Sequence, residues 1–275
     1  MLRVLDAALR VSEEKKERAR EVVRARRSAV VAFSGGVDST LVLQIAREEL
    51  GERVVALTAV SPSLAPRERE AAERLARQIG VEHLLVPTAE LADPDYVRNG
   101  PDRCYHCKSE LYAICRRVAD ERGLEAILDG FNADDLGDHR PGRRAGLERG
   151  VVSPLLEAGL TKAEIRAWSR QLGLPTWEKP QLACLASRIP YGTPVTVDRL
   201  EQVARAEEAL QDLGFRVLRV RHHGEVARLE LGEEELGRLF GDAELRARVE
   251  ERVKAAGFRF VAVDLEPFRS GRMNG

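Results

Sequence analysis

A five-residue apolar run, AVVAF (29–33), stops at two adjacent glycines and gives way to a helical pattern, STLVLQIAREELG, that ends at Gly51. A run this short and this uninterrupted is the mark of a strand buried on both faces, as in a parallel sheet covered by helices. The alternation then repeats. RVVALTAV (53–60) reads as a strand, the charged stretch 66–70 opens a helix running to Gly80, VEHLLVP (81–87) is a third strand, and KSELYAICRRVADERG is a helix leading into the strand EAILDGFN (125–132). Strands alternating with helices imply right-handed crossovers and a ligand site at the carboxyl ends of the strands. The first 27 residues read as a helix with Leu5, Ala8 and Leu9 on one stripe. After KPQLACLASRIPYGTPVT (179–196), rich in Pro and Gly, the pattern changes to a helix (198–213), strands FRVLRVR and VARLELG, helices within 233–256 and a last strand FRFVAVDL. The expected fold is therefore α/β, a parallel-sheet domain over 1–190 followed by a smaller α+β domain over 191–275, with no internal repeat or low-complexity tract.

Composition narrows the partners. With 45 acidic and 44 basic residues the net charge is −1, so no overall field of one sign would recruit nucleic acid or an anionic membrane. The N-terminal stretch MLRVLDAALRVSEEKKERAR is broken by charges, and nowhere do 18 apolar residues run together. The expectation is a soluble cytoplasmic protein, in which four cysteines are core filler, metal ligands or reactive thiols rather than structural disulfides.

The strongest chemical signal is VVAFSGGVDST (30–40), a strand, a glycine turn and a helix start. Two glycines let the backbone curl into a nest of N–H groups, and the following helix adds its partial positive charge, which suits phosphate. Neither the Gly-Lys-Ser/Thr of a Walker A loop nor GxGxxG is present. The bland alternative is a tight turn capped by Asp38 or Ser39. The loop resembles that of the PP-loop ATP pyrophosphatases, whose fold is adenine nucleotide alpha-hydrolase-like. The resemblance implies that Ser34, Gly35, Gly36, Asp38 and Ser39 cradle the β- and γ-phosphates of ATP, with Asp38 placed to hold Mg²⁺. DGFNADD (129–135) gathers Asn132, Asp134 and Asp135 at the end of a later strand. Relatives carry a similar turn on the rim of the ATP site; an acidic turn with a helix cap is the alternative.

The cysteines divide by neighbourhood. Cys115 shares a helical face with Leu111, Ile114 and Val118 and reads as core. Cys104 and Cys107 lie in PDRCYHCKSELY, in a Pro-initiated loop before the helix; the nearest strand is too distant for a thioredoxin-like redox pair, and half of a zinc site or part of a larger ligand set remain open. Cys184 sits in a loop between Lys179 and Arg188, cations that would lower a thiol's pKa; a core cysteine is the alternative.

Taken together, SGGVDS, CYHCK, DGFNADD, DHRPG, VVSPLLEAGLTKAEIR, KPQLACLASRIPYG and FRVLRVRHHGEVARLEL resemble the LarE family of ATP-dependent sulfur transferases over nearly the whole chain. The resemblance implies thiolation of pyridinium-3,5-biscarboxylic acid mononucleotide for the nickel-pincer cofactor of lactate racemase, by a homo-oligomer using sulfide or another sulfur donor. One version of the family sacrifices a single cysteine at the position of Cys184; the other holds a [4Fe-4S] cluster on three cysteines. The presence of Cys104, Cys107 and Cys184 resembles the cluster type. Arg219 and Arg221, two apart on a strand and so on one face, are placed to grip the mononucleotide's phosphate, and the resemblance adds Glu230 nearby. A solvated strand face is the alternative for them. Lys108 and Arg188 are further candidate catalytic residues; Trp168 and Trp177 read as packing. Three rivals share parts of this pattern. A tRNA thiolation enzyme would normally add a basic RNA-binding appendage, an ammonia-using PP-loop synthetase has no need of three cysteines, and a nucleotide-binding regulatory module with structural zinc would release no pyrophosphate.

Overall fold

The computed structural model describes residues 11–136, 141–180 and 183–269. The stripe Leu5, Ala8, Leu9 and most of the DHRPG motif lie outside these residues. In chain order the elements are α1 (Glu13–Arg24), β1 (Ala29–Ala32), α2 (Val37–Leu50), β2 (Val54–Val60), α3 (Pro66–Ile79), β3 (Glu82–Pro87), α4 (Pro94–Val97), α5 (Arg103–Arg122) and β4 (Ala126–Leu128). There follow α6 (Pro141–Glu148), α7 (Pro154–Glu157), α8 (Lys162–Gln171), α9 (Val197–Asp212), β5 (Leu218–His223), β6 (Val226–Leu231), α10 (Glu233–Gly241), α11 (Ala243–Ala255) and β7 (Phe260–Val263). Among the described residues no helix is long and apolar enough to cross a membrane.

The chain divides into two compact units. The first takes residues 1–61, 67–90 and 104–179, the second 62–66, 91–103 and 180–275. In the first unit β1–β4 form a parallel sheet of order β3-β2-β1-β4. Because side chains alternate along a strand, β1 feeds two cores. Ala29 and Val31 pack with Leu41, Ile45, Ile165 and Trp168 on one face, while Val30 and Ala32 pack with Tyr112, Cys115, Ala119 and Ala145 on the other. This is why AVVAF is apolar at every position. The strand order also fixes the site. The chain leaves β1 towards β2 and β3 on one side and returns to β4 on the other, so the ends of β1 and β4 flank the crevice where open α/β sheets bind ligands.

The second unit carries a smaller sheet of order β5-β6-β7, with β5 and β6 antiparallel and β6 and β7 parallel, beside α9 and α11. Asn99 knits the segment 91–103 into this unit. Buried and left-handed at φ 59°, it donates from Nδ2 to the carbonyls of Ile189, Pro190 and Thr193 at 3.2, 2.9 and 2.9 Å.

Candidate active site

The residues after β1 make a glycine loop that leaves backbone donors open. Gly35 has φ +67°, which side-chain-bearing residues rarely adopt, and a Cβ on it would stand 3.1 Å from Ala72 Cβ. The hydroxyls of Ser34 and Ser39 meet at 3.1 Å, and Ser39 accepts from the Ser34 N–H at 3.3 Å, closing the loop on itself. α1, α8 and α9 begin with Ser12, Thr161 and Thr196 accepting a first-turn N–H, whereas α2 begins at Gly36 with no side-chain cap. Its first-turn donors and positive dipole end are thus left for an anion.

β4 closes this cradle from the other side. Gly130 lies so close that a Cβ there would be 2.9 Å from the Ser39 nitrogen. Asn132 donates to Asp38 at 3.4 Å, and Lys162, the first residue of α8, pairs with the other Asp38 oxygen. Asp134 accepts the Lys162 N–H at 2.8 Å and Asp135 the Asn132 N–H at 3.0 Å. Of Asn132, Asp134 and Asp135, Asn132 therefore reaches the loop, while these contacts make Asp134 and Asp135 braces of the turn. Lys162 escaped the sequence reading, although Thr161-x-x-Glu164 is a capping box that marks the α8 start.

Asp129, between β4 and Gly130, is buried, and desolvation raises its pKa. It accepts from Ser153 at 2.6 Å, Tyr112 at 2.7 Å and the Phe131 N–H at 3.2 Å. The Lys108 ammonium lies 5.6 Å from the Tyr112 ring centre and favours the ionised form of Asp129. Cys104 and Cys107 are not in a loop before the helix. α5 begins at Arg103, whose N–H bonds to the Gly100 carbonyl at 3.0 Å, so the two fall three apart in its first two turns and share a face. Cys104 is exposed and Cys107 half-buried. Cys115 is in the core, as its helical face indicated, and burial pushes its thiol up to about 12.

In the second unit Cys184 is exposed at the head of a short helical turn, 185–188. Arg188 lies beneath it, 2 % exposed, and donates to Glu207 in a two-pronged pair at 2.8 and 2.9 Å, to the Cys184 carbonyl at 3.0 Å and to the Ala183 carbonyl. Arg188 is therefore an internal strut of this loop. Lys179 belongs to the first unit and spends its ammonium on Glu68 at 2.7 Å and the Gly35 carbonyl at 2.9 Å. The two cations that flank Cys184 in sequence thus spend their donors on carboxylates and backbone carbonyls. Arg219 and Arg221 share one face of β5, and that face is buried rather than solvated. Arg221 donates to Glu230 at 2.6 and 2.9 Å and to the Ser187 carbonyl at 2.8 Å. Arg219 stacks 4.6 Å from the Phe268 ring centre, and its pKa falls to about 10, first through desolvation and then through the like charges of Arg188 and Arg221.

Comparison with known proteins places these features. A family model described as asparagine synthase matches residues 16–208. The chain is 45% identical over 262 residues to an uncharacterized protein of Synechocystis sp., covering 95% of this chain and 97% of that one. It is 41% identical over 247 residues to the pyridinium-3,5-bisthiocarboxylic acid mononucleotide synthase of Lactiplantibacillus plantarum, LarE, covering 89% and 88% of the two chains. The chain belongs to the LarE family. A probable tRNA sulfurtransferase of Methanobrevibacter smithii is 28% identical over 193 residues, 64% of this chain and 49% of that protein.

The residues of this LarE family member suit the groups its relatives imply. Asp38, a carboxylate at the mouth of a backbone nest, is a hard oxygen donor of the kind Mg²⁺ takes. Cys104 and Cys107 in the first unit and Cys184 in the second are thiols that are not buried, donors of the kind iron takes. The buried and high-pKa Cys115 does not qualify.

Proposed function

We propose that this protein converts the two carboxylates of pyridinium-3,5-biscarboxylic acid mononucleotide to thiocarboxylates, in support of nickel-pincer cofactor synthesis, and that it does so as a cytoplasmic homo-oligomer. The observation that carries the reading is the phosphate cradle between β1 and β4, with Asp38 gripped by Asn132 and Lys162, in a chain matching a bisthiocarboxylic acid synthase over most of its length.

A carboxylate resists sulfide because its leaving group would be oxide. Activation replaces that leaving group. A substrate carboxylate oxygen attacks the α-phosphorus of ATP, pyrophosphate departs on Ser34, Gly35, Gly36 and Ser39, and an acyl-adenylate remains. The loop N–H groups at the start of α2 stabilise the charge that grows on the β-phosphate, and Asp38 would hold the Mg²⁺, whose charge would neutralise the polyphosphate. Sulfide then attacks the acyl carbon, and AMP leaves with the original carboxylate oxygen. A [4Fe-4S] cluster on Cys104, Cys107 and Cys184 would supply that sulfur. Arg219 and Arg221, buried side by side with Glu230 bracing Arg221, bind the mononucleotide's phosphate, and Arg188 holds the Cys184 loop in shape.

The test is anaerobic purification with iron, acid-labile sulfide and zinc measured per chain, followed by turnover with substrate, MgATP and sulfide. Iron and sulfide that disappear in Cys104→Ala, Cys107→Ala and Cys184→Ala, together with thiolated product and AMP, support the reading. Zinc alone, or no metal after reconstitution, refutes the cluster and leaves Cys184 as a sacrificial donor; turnover without pyrophosphate release refutes the adenylation.

A further inference from the structure

β7 ends at Val263, and the chain after it stays beside β6. The Asp264 N–H donates to the Leu229 carbonyl at 2.9 Å and the Phe268 N–H to the Leu231 carbonyl at 2.8 Å. Four residues pass on one side for two on the other, so the stretch between loops outward, with Leu265 83% exposed. Asp264 fixes the start of that loop. One of its oxygens accepts the Glu266 N–H at 3.1 Å, and the other pairs with Arg228 at 3.5 Å. The segment 264–268 is thereby tied at both ends by its backbone, and it sets the Phe268 ring against the Arg219 guanidinium, 4.6 Å from carbon to ring centre.

Arg219 needs such a partner. It is buried, and Arg188 and Arg221 beside it carry the same charge, so desolvation and repulsion both act to drive its guanidinium outward. A ring face attracts a cation without accepting any of its N–H groups, so it can orient a guanidinium without competing with a bound anion. We propose that Phe268 is a positioning residue for Arg219, and that the segment after β7 therefore belongs to the mononucleotide site. Phe268 acts on how tightly the substrate phosphate is held and takes no part in the chemistry at the carboxylates. The inference rests on the reading of Arg219 and Arg221 as the phosphate site and adds to it a residue from outside the β5–β6 hairpin.

Calorimetric titration of the full chain with pyridinium-3,5-biscarboxylic acid mononucleotide tests it, together with KM and kcat for the same compound in AMP release. Phe268→Leu keeps apolar bulk and removes the ring. Its Kd and KM should rise about tenfold, the strength of a desolvated cation–π contact, while kcat moves by less than about twofold. Phe268→Tyr and Phe268→Trp keep a ring and should stay within about threefold of wild type. In an Arg219→Gln background Phe268→Leu should cost nothing further, because the ring works only through the guanidinium. Wild-type affinity in Phe268→Leu overturns the proposal. So does an equal loss in all three Phe268 variants, or a loss beside Arg219→Gln as large as that seen alone, since either marks simple packing. Wild-type affinity in Arg219→Gln instead brings down the phosphate reading of the β5 face and this inference with it. A weakened Arg219→Gln beside an unaffected Phe268→Leu removes only the role of Phe268.

Discussion

Gly130 sets how closely β4 approaches the phosphate loop, and replacing it with alanine is a direct probe of that approach. The added Cβ would lie 2.9 Å from the Ser39 nitrogen, 3.0 Å from Asp38 Cβ and 3.2 Å from the Asp38 carbonyl carbon. Non-bonded carbons settle at about 3.5–4.0 Å, so the two segments must part by roughly 0.5–1 Å. Both neighbours are main chain or directly attached to it, leaving no flexible side-chain tip to swing aside. Gly130 is not among the residues with positive φ, so the effect is steric and not a matter of backbone preference. Overpacking of this kind costs about 1–3 kcal/mol. The displacement falls on the Ser39 N–H and on Asp38, so MgATP affinity should drop about tenfold or more, for each 1.4 kcal/mol. Calorimetry with MgATP and thermal unfolding read the two effects. Gly237→Ala in α10 is the control, because a Cβ added there meets nothing within 4 Å and alanine is the better helix former by about 0.5–1 kcal/mol. A Gly130→Ala protein with wild-type affinity and melting would refute the view that this contact shapes the loop.

Glu207→Leu leaves the Arg188 charge buried without its carboxylate and should cost about 3–5 kcal/mol in urea unfolding, most of it recovered in a Glu207→Leu/Arg188→Met double variant; a loss near that of an exposed pair would contradict this. His83 donates through Nε2 to the Thr58 hydroxyl, which itself donates to the Phe33 carbonyl at 2.6 Å, and burial lowers its pKa below the usual 6.5. The neutral ring is thus the folded form, its contribution is present above about pH 6.5 and fades as pH falls through the depressed value, so His83→Gln should flatten that part of the acid-side stability curve. Alkylation of the native apo-protein at pH 8, mapped by mass spectrometry, should mark Cys104 and Cys184 well before Cys115, whose pKa of about 12 leaves almost no thiolate.

The inner strands were readable because burial on both faces demands apolar residues at every position, and AVVAF and RVVALTAV meet that demand with few interruptions, whereas VEHLLVP is the half-exposed edge strand and carries a Glu and a His. The glycine loop was readable for a related reason: Gly35 occupies a conformation that restricts the residue type, so the constraint is written in the sequence. The cysteine pair was harder. Its tyrosine, histidine and cysteines are indifferent helix formers, and Pro101 suggested a loop, yet Arg103 already opens α5 and the two thiols sit on one turn of it. The reach of Lys162 to Asp38 was not readable at all, since 124 residues separate them and only the placement of α8 brings the ammonium to the loop. The same holds for Arg188. Its neighbour Cys184 suggested a cation acting on a thiol, while the partner that decides its role, Glu207, lies a full element away in α9.

The two charged clusters also differ in what they permit. The Asp38–Lys162 pair is about a quarter exposed on each side, and partly exposed pairs of this sort contribute on the order of 1 kcal/mol or less. Separating its two partners therefore costs little. Arg188–Glu207 and Arg221–Glu230 are at most 9% exposed on either side, where losing a partner costs about 3–5 kcal/mol. Those pairs hold the 183–188 turn and the β5 face in one shape. The more loosely held of these charges thus lie at the lip of the phosphate loop, and the tightly held ones are the buried arginines of the second unit.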